Sequence, residues 1–149
     1  MLPQIYFNNL DTESMVDSLN YISERKKVIL ICNNDTKSGQ SVNFKFDDIV
    51  LNLANNFKKF NYLFIVSNDI GIENENVIPA SSIIKDKENE LLKIGYLSTF
   101  CDVIIGRASG PFCFTHVKQN LMSENKKYIS FTNKREEGVW FEKSKATQI

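Results

Sequence analysis

Asp102-Val103-Ile104-Ile105-Gly106-Arg107-Ala108-Ser109-Gly110-Pro111 decides how this chain folds. Its β-branched run predicts a buried strand over residues 102–105. Two glycines, an arginine and a serine then make a turn, and Pro111 suits the first position of a helix, where its missing amide hydrogen is not needed. Strand, tight turn and helix start in direct succession are the mark of a parallel α/β unit.

The pattern repeats outward in both directions. Downstream, Phe114, Val117 and Leu121 recur at helical spacing, so the Pro111 helix is expected to reach about Met122, followed by a strand over residues 128–131. Upstream, Asp86 is placed to cap a helix running through Leu91, Leu92 and Ile94 to about Ser98. Val28-Ile29-Leu30-Ile31-Cys32 and Tyr62-Leu63-Phe64-Ile65-Val66 are apolar runs suited to strands buried on both faces, the first of them central, while Asn76-Val77-Ile78 before Pro79 suits a short strand nearer an edge.

Two more helices complete the alternation. Met15, Leu19 and Ile22 define one from Asp11 to about Arg25, with Asp11 as its cap and Leu10 packing on Met15 as a hydrophobic staple. Phe46, Ile49, Val50, Leu53, Ala54 and Phe57 define another, ending in Lys58-Lys59, whose charge complements the helix dipole. Alternating strands and helices predict a single Rossmann-like α/β domain over residues 1–149, its sheet mostly parallel and covered by helices on both faces. Its core is expected over about 27–132, and residues 133–149 form a polar tail that packs through Val139-Trp140-Phe141 alone.

Composition narrows the function classes. Eighteen basic residues balance eighteen acidic ones in 149 residues, so no overall field draws in nucleic acid or another polyanion. No apolar run approaches the ~20 residues needed to span a bilayer, and Met1-Leu2-Pro3-Gln4 does not begin a leader peptide, so a cytoplasmic protein is expected. Cys32, Cys101 and Cys113 form neither a C-x-x-C pair nor a framework and read as buried, reduced thiols. The single histidine and dispersed cysteines give no zinc set, and Asp86 and Glu88 suit a helix start better than a metal, so no metal is expected.

The turn after Ile105 is an anion site in the making. Gly110 lets a ligand approach the backbone, Ser109 offers a hydroxyl and Arg107 a bidentate cation for phosphate, with Gly106 shaping the turn. The alternative is a turn in which the glycines serve only the connection. Residues 33–42 form the loop after the first strand, where ligands bind in such sheets, and Ser38, Gly39 and Gln40 in it are candidates to face the same ligand. That loop lacks the glycine and Gly-Lys-Ser/Thr ending of a Walker loop, and no G-x-G-x-x-G is present. His116 lies on the helix above the turn, as a hydrogen-bond partner for phosphate or sugar, a candidate base, or an ordinary histidine. The serine of residues 106–110 stands one place late for a G-x-S-x-G elbow.

Residues 97–111, a helix end followed by D-V-I-I-G and then S-G-P, resemble the corresponding segment in the C-terminal half of GT-B-type glycosyltransferases. The strand and loop from Val28 to Gln40 look like the opening of the same half. The resemblance implies a Rossmann-like domain that holds a nucleotide sugar without a metal, its diphosphate at Arg107, Ser109 and Gly110 with Ser38, Gly39 and Gln40 opposite. A complete enzyme of that type has two such domains, so the acceptor-binding half is expected on another segment or a partner subunit. The alternative reading is a non-catalytic binding or interaction module of the same fold.

Overall fold

Five apolar residues in succession cannot keep one face in water, so the strand they form has to be covered above and below. In the computed structural model, which describes residues 5–37, 41–131 and 144–149, that strand is β1 (Lys27–Cys32), buried from Val28 onward. It pairs in parallel with β2 (Tyr62–Val66) on one side and β4 (Val103–Arg107) on the other. Beyond them lie β3 (Val77–Pro79), β5 (Lys127–Phe131) and β6 (Thr147–Gln148), giving one sheet of six parallel strands in the order β3-β2-β1-β4-β5-β6. The fold is α/β and Rossmann-like, as the alternation predicts.

Helices cover both faces unequally. The face carrying Val28, Leu30, Cys32, Ile104 and Tyr128 lies under α1 (Glu13–Arg25), α3 (Glu90–Ser98), α4 (Gly110–Phe114) and α5 (Lys118–Leu121), which contribute Met15, Leu19, Ile94, Leu97, Phe112 and Leu121. On the opposite face, Ile29, Ile31, Phe64, Val66 and Ile105 meet Phe46, Val50 and Ala54 of α2 (Asp47–Asn56) and the turn before it. Among the described residues no helix is long and apolar enough to cross a membrane.

Several boundaries differ from the sequence reading for identifiable reasons. Strand β4 runs two residues further, so Gly106 and Arg107 are paired with Ser130 and Phe131 of β5 and belong to the sheet, not to the turn. The single helix expected to reach Met122 is two short ones. Thr115 between them gives its carbonyl to the Asn120 amide (2.8 Å) and the Tyr128 hydroxyl (2.7 Å), contacts that compete with a continuous helix. Phe112, rather than Phe114, is the fully buried aromatic, and Pro111 stands second in α4.

Two expected charge roles also move. Asp86 does not cap α3; its carboxylate holds the buried Lys93 ammonium at 2.7 and 2.8 Å, a bond that keeps its carboxyl below the usual range. Lys58 and Lys59 stand in a 3-10 turn after α2, and the chain reverses at Asn61, whose φ is +53°. Helix α1 starts at Glu13, whose amide donates to Asp11 Oδ1 at 3.3 Å. Cys32 and Cys101 are buried, but Cys113 is exposed, against the expectation of three buried thiols.

The tail brings a further correction. Val139-Trp140-Phe141 lie outside the described residues, but the polar end of the chain joins the sheet as β6, with Thr147 opposite Lys127 and Gln148 opposite Tyr128. Backbone groups on the free edge of β5 bond to any extended segment, whatever its side chains. Ser144 Oγ and the Lys145 amide each donate to Leu121 O at 2.7 Å, anchoring the approach.

Gly106 is required by close packing. A Cβ built there would lie 2.5 Å from Phe112 Cδ2 and 3.0 Å from Cys32 Cβ, inside contact distance. Gly106→Ala is therefore expected to lower the unfolding free energy by about 1–3 kcal/mol through overpacking, read by urea denaturation; a variant as stable as the parent would show that the Phe112 ring yields freely.

Candidate ligand crevice at the ends of β1 and β4

In an open parallel sheet the connections leave opposite faces on either side of the point where strand order reverses, and a crevice opens there at the carboxyl ends. Here that point lies between β1, which leads to β2 across the α2 face, and β4, which leads to β5 across the face of α4 and α5. Residues 33–37 leave β1 and Ala108 leaves β4 at this point, so the start of the loop after β1 lies beside the segment that follows β4. Ser38, Gly39 and Gln40 lie outside the described residues.

Arg107 is fully buried and turned toward the α2 face. Its Nη1 donates to Val42 O (3.1 Å) and Asn43 Oδ1 (3.3 Å), and its Nη2 to Phe44 O (2.7 Å). The guanidinium lies 4.6 and 4.7 Å from the centres of the Phe44 and Phe46 rings, and Asp35 stands at 3.6 Å. The cation expected at a phosphate therefore serves the chain's own carbonyls, because strand alternation puts it on the face opposite Gly106 and α4. Asn43 passes the constraint on: its Oδ1 accepts from Thr36 N (2.9 Å) and its Nδ2 donates to Thr36 O (3.0 Å), which closes the loop that carries residues 38–40.

The Asn33 side chain is fixed on the other wall. Its Nδ2 donates to Asn68 O and its Oδ1 accepts from Asn68 N, both at 2.8 Å, while Ser67 Oγ accepts from Asn33 N and donates to Asn34 Oδ1. These bonds clamp the end of β1 to the end of β2. Between this clamp and the start of α2 lies an open cleft of about 250 Å³ lined by Asn33, Asp35, Phe44, Lys45, Asp47 and Asn68. Amides and carboxylates over apolar walls suit hydroxyl groups and a planar ring better than a bare phosphate, which Asp35 and Asp47 would repel.

The β4 side offers different chemistry. Ser109 precedes α4, is buried, and its hydroxyl has no hydrogen-bond partner among the described residues; Arg107 Nε and Ser130 Oγ are likewise buried without one there. An unsatisfied buried donor costs about 1–3 kcal/mol, so three around the ends of β4 and β5 mark a place where the fold alone does not complete its hydrogen bonds. Gly110 is exposed, and a Cβ there would meet only the Leu91 side chain at 3.8 Å. Helix α4 has five residues, so any anion here would be held by individual amides and hydroxyls rather than by a long helix dipole.

His116 sits in the break between α4 and α5, its ring 5.0 Å from Phe112 and 5.4 Å from Tyr128. Burial pushes its pKa down to about 4, so it is a neutral imidazole at neutral pH and brings no positive charge to a phosphate. Among the described residues no group of three or more His, Cys, Asp or Glu side chains is placed to hold a metal.

Sequence reading missed Asn33, Ser67, Asn68 and Asn43. The signal that could have found the first three is a polar pair directly after each buried strand, Asn33-Asn34 and Ser67-Asn68. No family model matches the chain, and no curated protein or solved structure matches it.

Arg107→Ala is expected to lower stability by about 2–4 kcal/mol, since it strands two carbonyls and leaves space between two rings. Arg107→Lys recovers only part of this, because an ammonium lacks the planar fork. Urea unfolding of the two variants measures both; parent-like stability in Arg107→Ala would refute the structural role.

Proposed function

We propose that this chain is a nucleotide-sugar-binding domain of a glycosyltransferase of GT-B type, taking the donor in the crevice between β1 and β4. The observation that carries the reading is the reversal of strand order at β1 and β4, where residues 33–37 and the Ser109-Gly110 segment leave the carboxyl ends of adjacent parallel strands. The amide- and carboxylate-lined cleft beside Asn33 and Asn68 suits the hydroxyls of ribose or sugar. The unpartnered Ser109 hydroxyl and the backbone at Gly110 suit the diphosphate.

In this reading Ser109, Gly110 and the loop with Ser38, Gly39 and Gln40 contact the donor, and Gly106 and Arg107 support them. Gly106 admits the Phe112 ring beneath the turn, and Arg107 fixes residues 42–44 at the loop's base. Donor hydrogen bonds that tighten as charge builds on the departing diphosphate are the means by which such a site assists transfer. The acceptor and the base that activates it are assigned to a further domain or a partner subunit.

A second reading, a binding module that does not catalyse, is favoured by one feature. His116, the sole histidine, is packed between two aromatic rings and held neutral.

Both readings require a ligand, and a ligand that binds the native state raises the melting temperature. Titration with UDP, GDP, ADP and CMP is expected to raise it for one of them. Ser109→Ala and Gly110→Ala, which disturb no described contact of the fold, are expected to abolish that rise without lowering the unliganded melting temperature, which Ser109→Ala should raise by removing a buried unsatisfied hydroxyl. No rise with any nucleotide in the folded parent chain would overturn the assignment.

A further inference from the structure

The end of the sheet opposite the crevice carries a rim of exposed aromatic and basic residues. Tyr21 and Phe60 are each 62% exposed and Phe57 37%, high values for rings of this size. Arg25, Lys26 and Lys27 lead into β1 beside them, and Lys58 and Lys59 lead into β2. The two groups adjoin: Asn61 Nδ2 donates to Arg25 O at 2.5 Å and Lys27 N donates to Asn61 O at 3.2 Å. Glu24 pairs with Arg25 and Glu75 with Lys58, which leaves Lys26, Lys27 and Lys59 outside the described ion pairs. The neutral total charge of the chain conceals this local excess.

We propose that this rim docks on the surface of an anionic lipid bilayer, with the aromatic rings at headgroup depth and the lysine ammonium groups among the phosphates. Aromatic rings flanked by basic side chains match that boundary, since the rings leave water for the interfacial region while lysine stems lie along them and keep their charge outside. Helix length is not required for such contact, and the crevice at the other end of the strands stays open to water.

Two other occupants fit less well. A second copy related by a twofold axis would bring the same lysines face to face. Single-stranded nucleic acid needs flat ring faces open for stacking, and here part of those faces is taken by neighbours. The Arg25 guanidinium covers the Tyr21 ring at 3.9 Å, and Phe57, Phe60 and Tyr62 meet one another at 5.3–6.3 Å with interplanar angles of 55–72°.

Co-sedimentation of the full chain with vesicles tests this. Binding is expected to vesicles of phosphatidylcholine with roughly 30% phosphatidylglycerol, not to phosphatidylcholine alone, and to fall ~10-fold when salt is raised to about 0.5 M. Lys27→Glu with Lys59→Glu should lose the binding with an unchanged melting temperature, because both side chains are exposed; separately, Phe60→Ser should lose it too, with only the small drop in melting temperature that follows from losing its ring contacts to Phe57 and Tyr62. Failure to sediment with the anionic vesicles, or equal binding by parent and variants, would overturn the proposal. So would a rim that ignores vesicles but binds a labelled single-stranded RNA, or a concentration-dependent dimer abolished by Phe60→Ser.

Discussion

A fully buried guanidinium has to find its hydrogen bonds inside the protein, and Arg107 finds them in one short segment of backbone. Residues 42–44 are held against the end of β4 by three hydrogen bonds from its two terminal nitrogens, two of them to carbonyls, with the rings of Phe44 and Phe46 beside the cation. Stranding such a charge is costly, so the segment has little freedom to leave. From there the constraint reaches Asn43 and, through it, Thr36, so that both ends of the loop after β1 are set by a residue of β4. The cleft beside Asn33 and Asn68 owes the wall that includes Asn43 and Phe44 to that linkage.

The opposite face is organised by polar groups that lie beneath the helices. Asn120 joins Thr115 O to Ser98 Oγ, Ser98 Oγ in turn donates to Gly95 O, and Tyr128 reaches the same Thr115 carbonyl from β5. Lys126 is buried with its ammonium on the carbonyls of Ser98, Thr99 and Cys101, where it satisfies the last turn of α3. Burial lowers its pKa, and the nearby Asp102 carboxylate opposes that shift in part. The network explains why α4 and α5 are separate. It also fixes α4 against α3, whose Gly95 passes so close to the Phe114 carbonyl that a Cβ would lie 2.7 Å from its oxygen.

What was legible in the sequence was carried by apolar runs. Strand β2 spans the residues its pattern indicates, and the central place of β1 follows from a run with no polar residue between Val28 and Cys32. Hidden from it was whatever depended on polar groups turning inward. Arg107 reads as a phosphate-binding cation in a turn, and nothing in the pattern marks Lys93, Lys126 or Asn120 as buried, because one-dimensional periodicity gives no sign of a carbonyl waiting across the fold. The tail reads as a polar surface segment for the same reason: β6 is held through its backbone, which leaves no mark on side-chain pattern. Of the candidate site, the meeting of two strand ends was legible from topology, while the direction of Arg107 was set by two further residues of strand that the glycine had masked.

The proposed donor site lies at the carboxyl ends of β1 and β4. Backbone amide chemical shifts of the labelled protein, followed during titration with the nucleoside diphosphate that binds most tightly, test it directly. The largest changes are expected at residues 33–37, 108–110 and 112, with Asn68 among them, while the amides at the starts of the strands stay still. Changes confined to the strand starts or to the outer surfaces of α1 and α2, or none at saturating nucleotide, would contradict it.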